Sequence, residues 1–149
     1  MTPTAGVVDP SRTRELRRSV LRPRLPVGAP LPGDELGAAV HLGVTAGEEV
    51  VSTCFVFAEP CPWRPDLRPA WHLRQMATAP EFRGQGLGAA VVAAALAYAG
   101  EQGGRVLWAN VRQTAIGFYE RCGLQGYGEI FTDEQHPIPH LRMWRELGT

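Results

Sequence analysis

Apolar and β-branched residues gather first in two runs, Ala38 to Val44 and Glu49 to Ala58. The second holds Val50, Val51, Cys54, Phe55, Val56 and Phe57, all strong strand formers. Thr45-Ala46-Gly47-Glu48 between them supplies a glycine turn, so the pair reads as a hairpin. Upstream, Asp9-Pro10 combines an N-cap with a proline at the first helical position. A helix follows to Val20 or Leu21, with Leu16 and Val20 on one face, and Arg22-Pro23 ends it. Residues 1–8 read as a loose tail, and residues 23–36 as a loop rich in Pro and Gly.

The segment from Glu59 to Ala70 contains Pro60, Pro62, Pro65 and Pro69. A loop of that length tends to be functional or mobile. Trp71 to Thr78 is the next strand, stopped by Pro80, which has no N–H for a ladder. An alanine-rich run from Leu87 to about Gln102 predicts a helix, apolar nearly all round and so expected against the sheet. Gly103-Gly104 closes it, and Val106 to Ala109 is a short central strand. Strand, helix, strand is the order of a parallel crossover. A helix from Thr114 to Arg121, closed by Gly123, precedes two antiparallel strands, Tyr127 to Phe131 and His140 to Arg145.

Composition narrows the class. The chain has 149 residues, the size of one domain, and no repeat or low-complexity tract divides it. Lys and Arg total 15 and Asp and Glu total 15; every basic residue is Arg. A net charge of zero gives no support to a nucleic-acid partner or a membrane surface. Six arginines lie between Arg12 and Arg24 and read first as a solvated face, secondarily as help in attracting a polyanion. Cys54, Cys61 and Cys122 are odd in number and show no zinc or disulfide spacing, so no metal is expected and each is a small buried hydrophobe. The start carries no signal-peptide pattern and no run is apolar enough to span a bilayer, so the protein is expected in the cytoplasm.

The chemistry centres on Leu73 to Gly88, where a strand meets Pro80 and then Gly84, Gly86 and Gly88 at the start of the alanine-rich helix. Such a turn points backbone N–H groups into one concavity with the helix dipole behind them, an anion site suited to a pyrophosphate. Arg83 adds a fixed positive charge. The spacing G-x-G-x-G fails the dinucleotide fingerprint, and Ala89-Ala90 after Gly88 fails the P-loop. Arg83-x-x-Gly86-x-Gly88 fits a third pattern, Arg/Gln-x-x-Gly-x-Gly/Ala, which resembles the acyl-CoA pyrophosphate loop of the GNAT superfamily of N-acyltransferases. A second block is similar to the other signature of that family: a strand ending in Asn110, then Ala115-x-x-Phe118-Tyr119-Glu120-x-x-Gly123-Leu124. The closing segment, Ile138 to Met143, looks like the end of small bacterial members with unassigned substrates.

The resemblance implies a layered α+β fold. Its central sheet would be mixed and mostly antiparallel, with one parallel strand pair splayed around the cofactor and helices on both faces. It implies acetyl-CoA as cofactor, held by Met76, Ala77 and Thr78 along the strand. Arg83, Gly84, Gln85, Gly86, Leu87, Gly88 and Ala89 would take the pyrophosphate, and Asn110 the pantetheine arm. A backbone N–H near Met76 would polarise the thioester carbonyl as it gains negative charge. Tyr119 matches the family's general acid, which would protonate the leaving thiolate.

The base that accepts the amine proton is open among His72, a water beside Gln75, Glu59, Glu134, His136 and His140. His140 is favoured because it opens a strand at the expected cleft. The acceptor is expected to be a small-molecule or peptide amine, with direct transfer in a ternary complex and a homodimer as the base-rate assembly. Two other readings compete. One is a catalytically inactive acyl-CoA-binding or partner-binding module on the same fold. The other is a nucleotide-phosphate site, which would lack the Lys and Mg²⁺ ligands it needs.

Overall fold

The computed structural model describes residues 4–148. Its strands are β1 (Gly6–Val8), β2 (Val40–Ala46), β3 (Glu49–Ala58), β4 (Ala70–Thr78), β5 (Val106–Arg112), β6 (Gln125–Phe131) and β7 (His140–Glu146). Its α-helices are α1 (Arg14–Leu21), α2 (Leu87–Glu101) and α3 (Ile116–Arg121). The strands form one seven-stranded mixed sheet in the order β1-β2-β3-β4-β5-β7-β6. The parallel pair is β4 with β5, in register over Ala70–His72 and Val106–Trp108. Among the described residues, no helix is long and apolar enough to cross a membrane.

The chain divides into two compact units. One comprises residues 1–57 and 73–97. Here the Asp9 side chain accepts from the Ser11 amide at 2.9 Å and caps a 3₁₀ turn, Pro10–Thr13, that leads into α1. β2 and β3 form the expected hairpin, with Gly47 in the left-handed region at φ +63°. Leu42, Cys54, Phe55, Val56, Val91 and Val92 are fully buried. The amide of Ala79 donates to Val51 O at 2.8 Å, and the Ser52 and Thr78 hydroxyls meet at 2.8 Å.

Three expectations are corrected in this unit. Residues 6–8 of the expected loose tail are a strand, paired antiparallel with His41–Gly43 of β2; Met1–Pro3 lie outside the described residues. Backbone hydrogen bonding to an available sheet edge organises them, which a run of three residues, Gly6-Val7-Val8, is too short to announce. The basic face of α1 is not uniformly solvated, because Arg17 is 3% exposed. Helix α2, apolar nearly all round and expected buried against the sheet, buries one side only: Val91, Val92 and Ala95 are buried, whereas Ala89, Ala93 and Ala97 face solvent. Alanine is small enough that an exposed methyl costs little, so an alanine-rich run does not reveal which side is buried.

The second unit comprises residues 58–72 and 98–149. β7 pairs antiparallel with β5 over the full length of both strands and with β6 on its other side. The last two strands are antiparallel as expected, and the later one lies between β5 and β6. Cys61, Leu67, Ala70, Val106 and Trp108 form a core, with Trp63 and Trp144 packed on it. The proline-rich segment 59–69 is therefore pinned by its own apolar side chains. Gly104 lets the chain pass close: a Cβ there would lie 2.7 Å from both Ala99 O and Trp71 Cδ1.

Candidate functional site

The first unit carries the glycine loop. After β4, Pro80–Phe82 make a 3₁₀ turn, and Gly84 and Gly86 take φ of +78° and +76°, which only glycine adopts freely. Gly88 already lies inside α2. A Cβ built at Gly84 or Gly86 would meet nothing within 4 Å, so the outer surface of the loop is open. Arg83, Gly84, Gln85 and Gly86 are all exposed, Leu87 is buried, and Arg83 Nε reaches Thr78 O at 3.4 Å. α2 starts at Leu87, so its first amides lack a carbonyl one turn earlier in the helix. Two left-handed glycines, a helix start and an exposed guanidinium fit a bound polyphosphate.

Along β4, Ala77 is buried and Met76 and Thr78 are half-buried. The residue before them is unusual. Gln75 has φ +57°, a positive value otherwise confined to glycines among the described residues. Its side-chain Oε1 accepts from Arg17 Nη1 at 2.9 Å, and its Nε2 donates to Pro32 O. Arg17 also donates through Nε to the buried Thr13 hydroxyl at 3.0 Å. No local signal announces this: glutamine is not a left-handed residue type, and Arg17 is one arginine among six. The spacing of Thr13 and Arg17, four apart on one helical face, is the trace left in the sequence.

A cavity of about 330 Å³ lies beside this network, lined among others by Arg14, Arg17, Asp34, Leu36 and His41. Arg14 pairs with Asp34 at 2.8 Å, and the Leu31 amide donates to the same carboxylate at 2.9 Å. Burial, with Arg17 beside it, pushes the pKa of His41 down to about 4.

The second unit carries Asn110, Tyr119 and His140. Asn110 is half-buried in β5, opposite Arg142 of β7. Tyr119 lies on α3 and is 6% exposed, with its ring edge-on to Phe118. Gly123 ends that helix at φ +89°. His140 opens β7, is 8% exposed, and stands opposite Arg112. Its Nδ1 is 2.7 Å from Ile138 O. A carbonyl only accepts, so Nδ1 carries a proton and the neutral ring has its lone pair on Nε2. His136 packs against His140 at 4.7 Å between ring centroids and bonds Asp133 at 2.9 Å, which holds the Asp133 carboxyl below its usual range.

Two other base candidates come together with each other. His72 stacks on Trp108 at 3.7 Å and 11°, with Nδ1 3.8 Å from Glu59 Oε1. Trp108 in turn donates to Glu59 O at 2.9 Å. Glu134 is exposed in the loop between β6 and β7.

The fold, the glycine loop and the Tyr119 helix define a class. The model of the acetyltransferase (GNAT) family matches residues 22–124, and the chain belongs to that family. It is an acyl-CoA-dependent acyltransferase. It is 28% identical over 142 residues to the uncharacterized N-acetyltransferase YitI of Bacillus subtilis (strain 168), covering 92% of this chain and 91% of that protein. The fold is shared with FeeM, an N-acyl amino acid synthase from uncultured soil microbes, at TM-score 0.75 and 16% identity over 98% of this chain and 92% of the other. It is shared too with a Bacillus subtilis acetyltransferase in complex with CoA, at TM-score 0.68 and 16% identity over 98% and 99%.

Proposed function

We propose that this protein is an N-acetyltransferase that moves an acetyl group from acetyl-CoA to a primary amine by direct transfer in a ternary complex. The observation that carries the reading is the loop at 83–89, with its two left-handed, open-faced glycines at a helix start. Its support comes also from the family and from a fold shared with an acetyltransferase in complex with CoA. The cofactor supplies an acyl thioester, already activated for attack by an amine.

The chain's own residues do the rest. The amides from Gly84 to Ala89 and the Arg83 guanidinium hold the pyrophosphate. Backbone groups of Met76, Ala77 and Thr78 and the Asn110 amide align the pantetheine arm. The Met76 N–H donates to the acyl oxygen as negative charge grows there. His140 Nε2 accepts the amine proton, its Nδ1–H fixed by Ile138 O. Tyr119 gives its proton to the departing thiolate. On this reading, residues 1–149 work as one domain, in the cytoplasm and as a homodimer, on a small-molecule or peptide amine.

Calorimetric titration with acetyl-CoA tests the reading, repeated with Arg83→Ala and Gly86→Glu. Binding by the wild type that both variants weaken supports the loop as the cofactor site and opens an amine screen. No binding of acetyl-CoA or CoA at millimolar concentration by folded protein sinks it. Binding without turnover of any amine would favour an inactive acyl-CoA-binding module.

A further inference from the structure

The arrangement around Gln75 goes beyond that reading and rests on its assignment of Met76. Left-handed backbone is unfavourable for an L residue with a side chain, because Cβ approaches the following carbonyl. In a strand it also breaks the alternation of faces, and Arg74, Gln75 and Met76 are indeed three half-buried residues in succession. Something must hold Gln75 there. Both ends of its amide are engaged, Oε1 by Arg17 Nη1 at 2.9 Å and Nε2 by Pro32 O.

Arg17 is itself fixed. Its Nε donates to Thr13 Oγ1 at 3.0 Å, and that fully buried hydroxyl donates to Pro10 O at 2.8 Å. Asp34 Oδ1 stands 3.8 Å from Nη1 and supplies the countercharge. Burying a guanidinium is a poor way to add stability, since an apolar side chain of similar size does as well or better. A planar fork with several fixed donors is well suited to hold another group in one geometry.

We infer that Arg17 is a positioning residue for acyl transfer: by clamping Gln75 in its left-handed conformation it fixes the direction of the adjoining Met76 peptide. α1 is thereby tied to the chemistry without touching substrate.

The test uses Arg17→Leu, Gln75→Leu, and the double variant Arg17→Leu with Gln75→Gly. Glycine takes the positive φ without help, so it should make the clamp dispensable. Selective ¹⁵N labelling of methionine gives an amide spectrum of very few resonances, Met76 and the buried Met143 among them. Expected in Arg17→Leu is a displaced Met76 amide and an unmoved Met143 amide. In each Leu single variant kcat is lower by roughly tenfold or more while acetyl-CoA affinity stays within about twofold. In the double variant kcat returns toward wild type. An unmoved Met76 amide in Arg17→Leu overturns the inference whatever the activity, and so does a kcat loss that Gln75→Gly does not rescue in folded protein. Should Arg17→Leu not fold, Gln75→Leu decides the question in its place through kcat against acetyl-CoA affinity, because it removes the clamp and leaves Arg17 intact; an unchanged kcat overturns the inference. A displaced Met76 amide in a protein that binds no acetyl-CoA would leave the clamp standing and sink the proposed function instead.

Discussion

The ring Nδ1 of His140 lies 2.7 Å from the carbonyl oxygen of Ile138, two residues earlier in the chain. The bond selects one tautomer and leaves Nε2 as the basic nitrogen of the neutral ring. His140→Gln keeps a hydrogen-bonding side chain but removes the base. We expect kcat to fall on the order of 10²-fold while acetyl-CoA affinity holds. Steady-state kinetics with one amine checks this. An unchanged kcat would move the base to His72 and Glu59, which already adjoin each other at 3.8 Å.

Tyr119→Phe removes one oxygen from a side chain that is 6% exposed. If the phenol protonates the leaving thiolate, kcat should drop roughly 10²-fold with little change in acetyl-CoA affinity. A loss of affinity with unchanged kcat would make Tyr119 a binding residue only.

Two glycines separate backbone strain from steric clash. At Gly86 an added Cβ meets open space but the backbone stays at φ +76°, so Gly86→Ala should cost about 1 kcal/mol of stability and weaken acetyl-CoA binding. At Gly104 the φ is ordinary but a Cβ would come within 2.7 Å of Ala99 O and Trp71. Gly104→Ala should therefore cost more, about 1–3 kcal/mol, by overpacking. Urea unfolding and calorimetry on both variants distinguish the two effects.

His41 makes stability depend on pH. Its folded pKa of about 4 lies below the ordinary 6.5, so between those values the unfolded chain binds more protons than the folded one. Its contribution is complete above pH 6.5, declines as pH falls, and is exhausted near pH 4, by at most about 3 kcal/mol. Arg17 beside it opposes its charging, while Asp34 and Asp9 favour it less strongly. The carboxyls of Asp34 and Asp9 are themselves held low, so their titration adds acid destabilisation at lower pH. Denaturant midpoints from pH 4 to 7 should show a shallower slope in His41→Gln than in wild type.

Much of the fold could be read directly. The Glu49–Ala58 strand appears with the expected bounds, and β4 and α2 lie within a residue of theirs. The turns at Gly47, Gly84, Gly86, Gly103 and Gly123 carry positive φ where the glycines stand. Each rests on a few neighbouring residues: strand formers in a run, a cap, a proline without N–H, a residue without Cβ. Asp9 capping the turn before α1 is of the same kind. The family resemblance was legible for the same reason, since both signatures are short contiguous stretches.

What only the tertiary structure decided involves partners far apart in the chain. The insertion of β7 between β5 and β6, and the pairing of Gly6–Val8 with β2, depend on which sheet edge is available once other strands have paired. Arg17 and Gln75 are 58 residues apart and meet only in the folded chain. There the burial of a guanidinium and the left-handed turn of a glutamine become compatible, because each satisfies the other's hydrogen-bonding groups. Local propensity alone predicts a solvated arginine and an extended glutamine at those positions. The sequence by itself determined the elements, the glycine loop and the family; long-range packing and pairing decided how the backbone before Met76 is held.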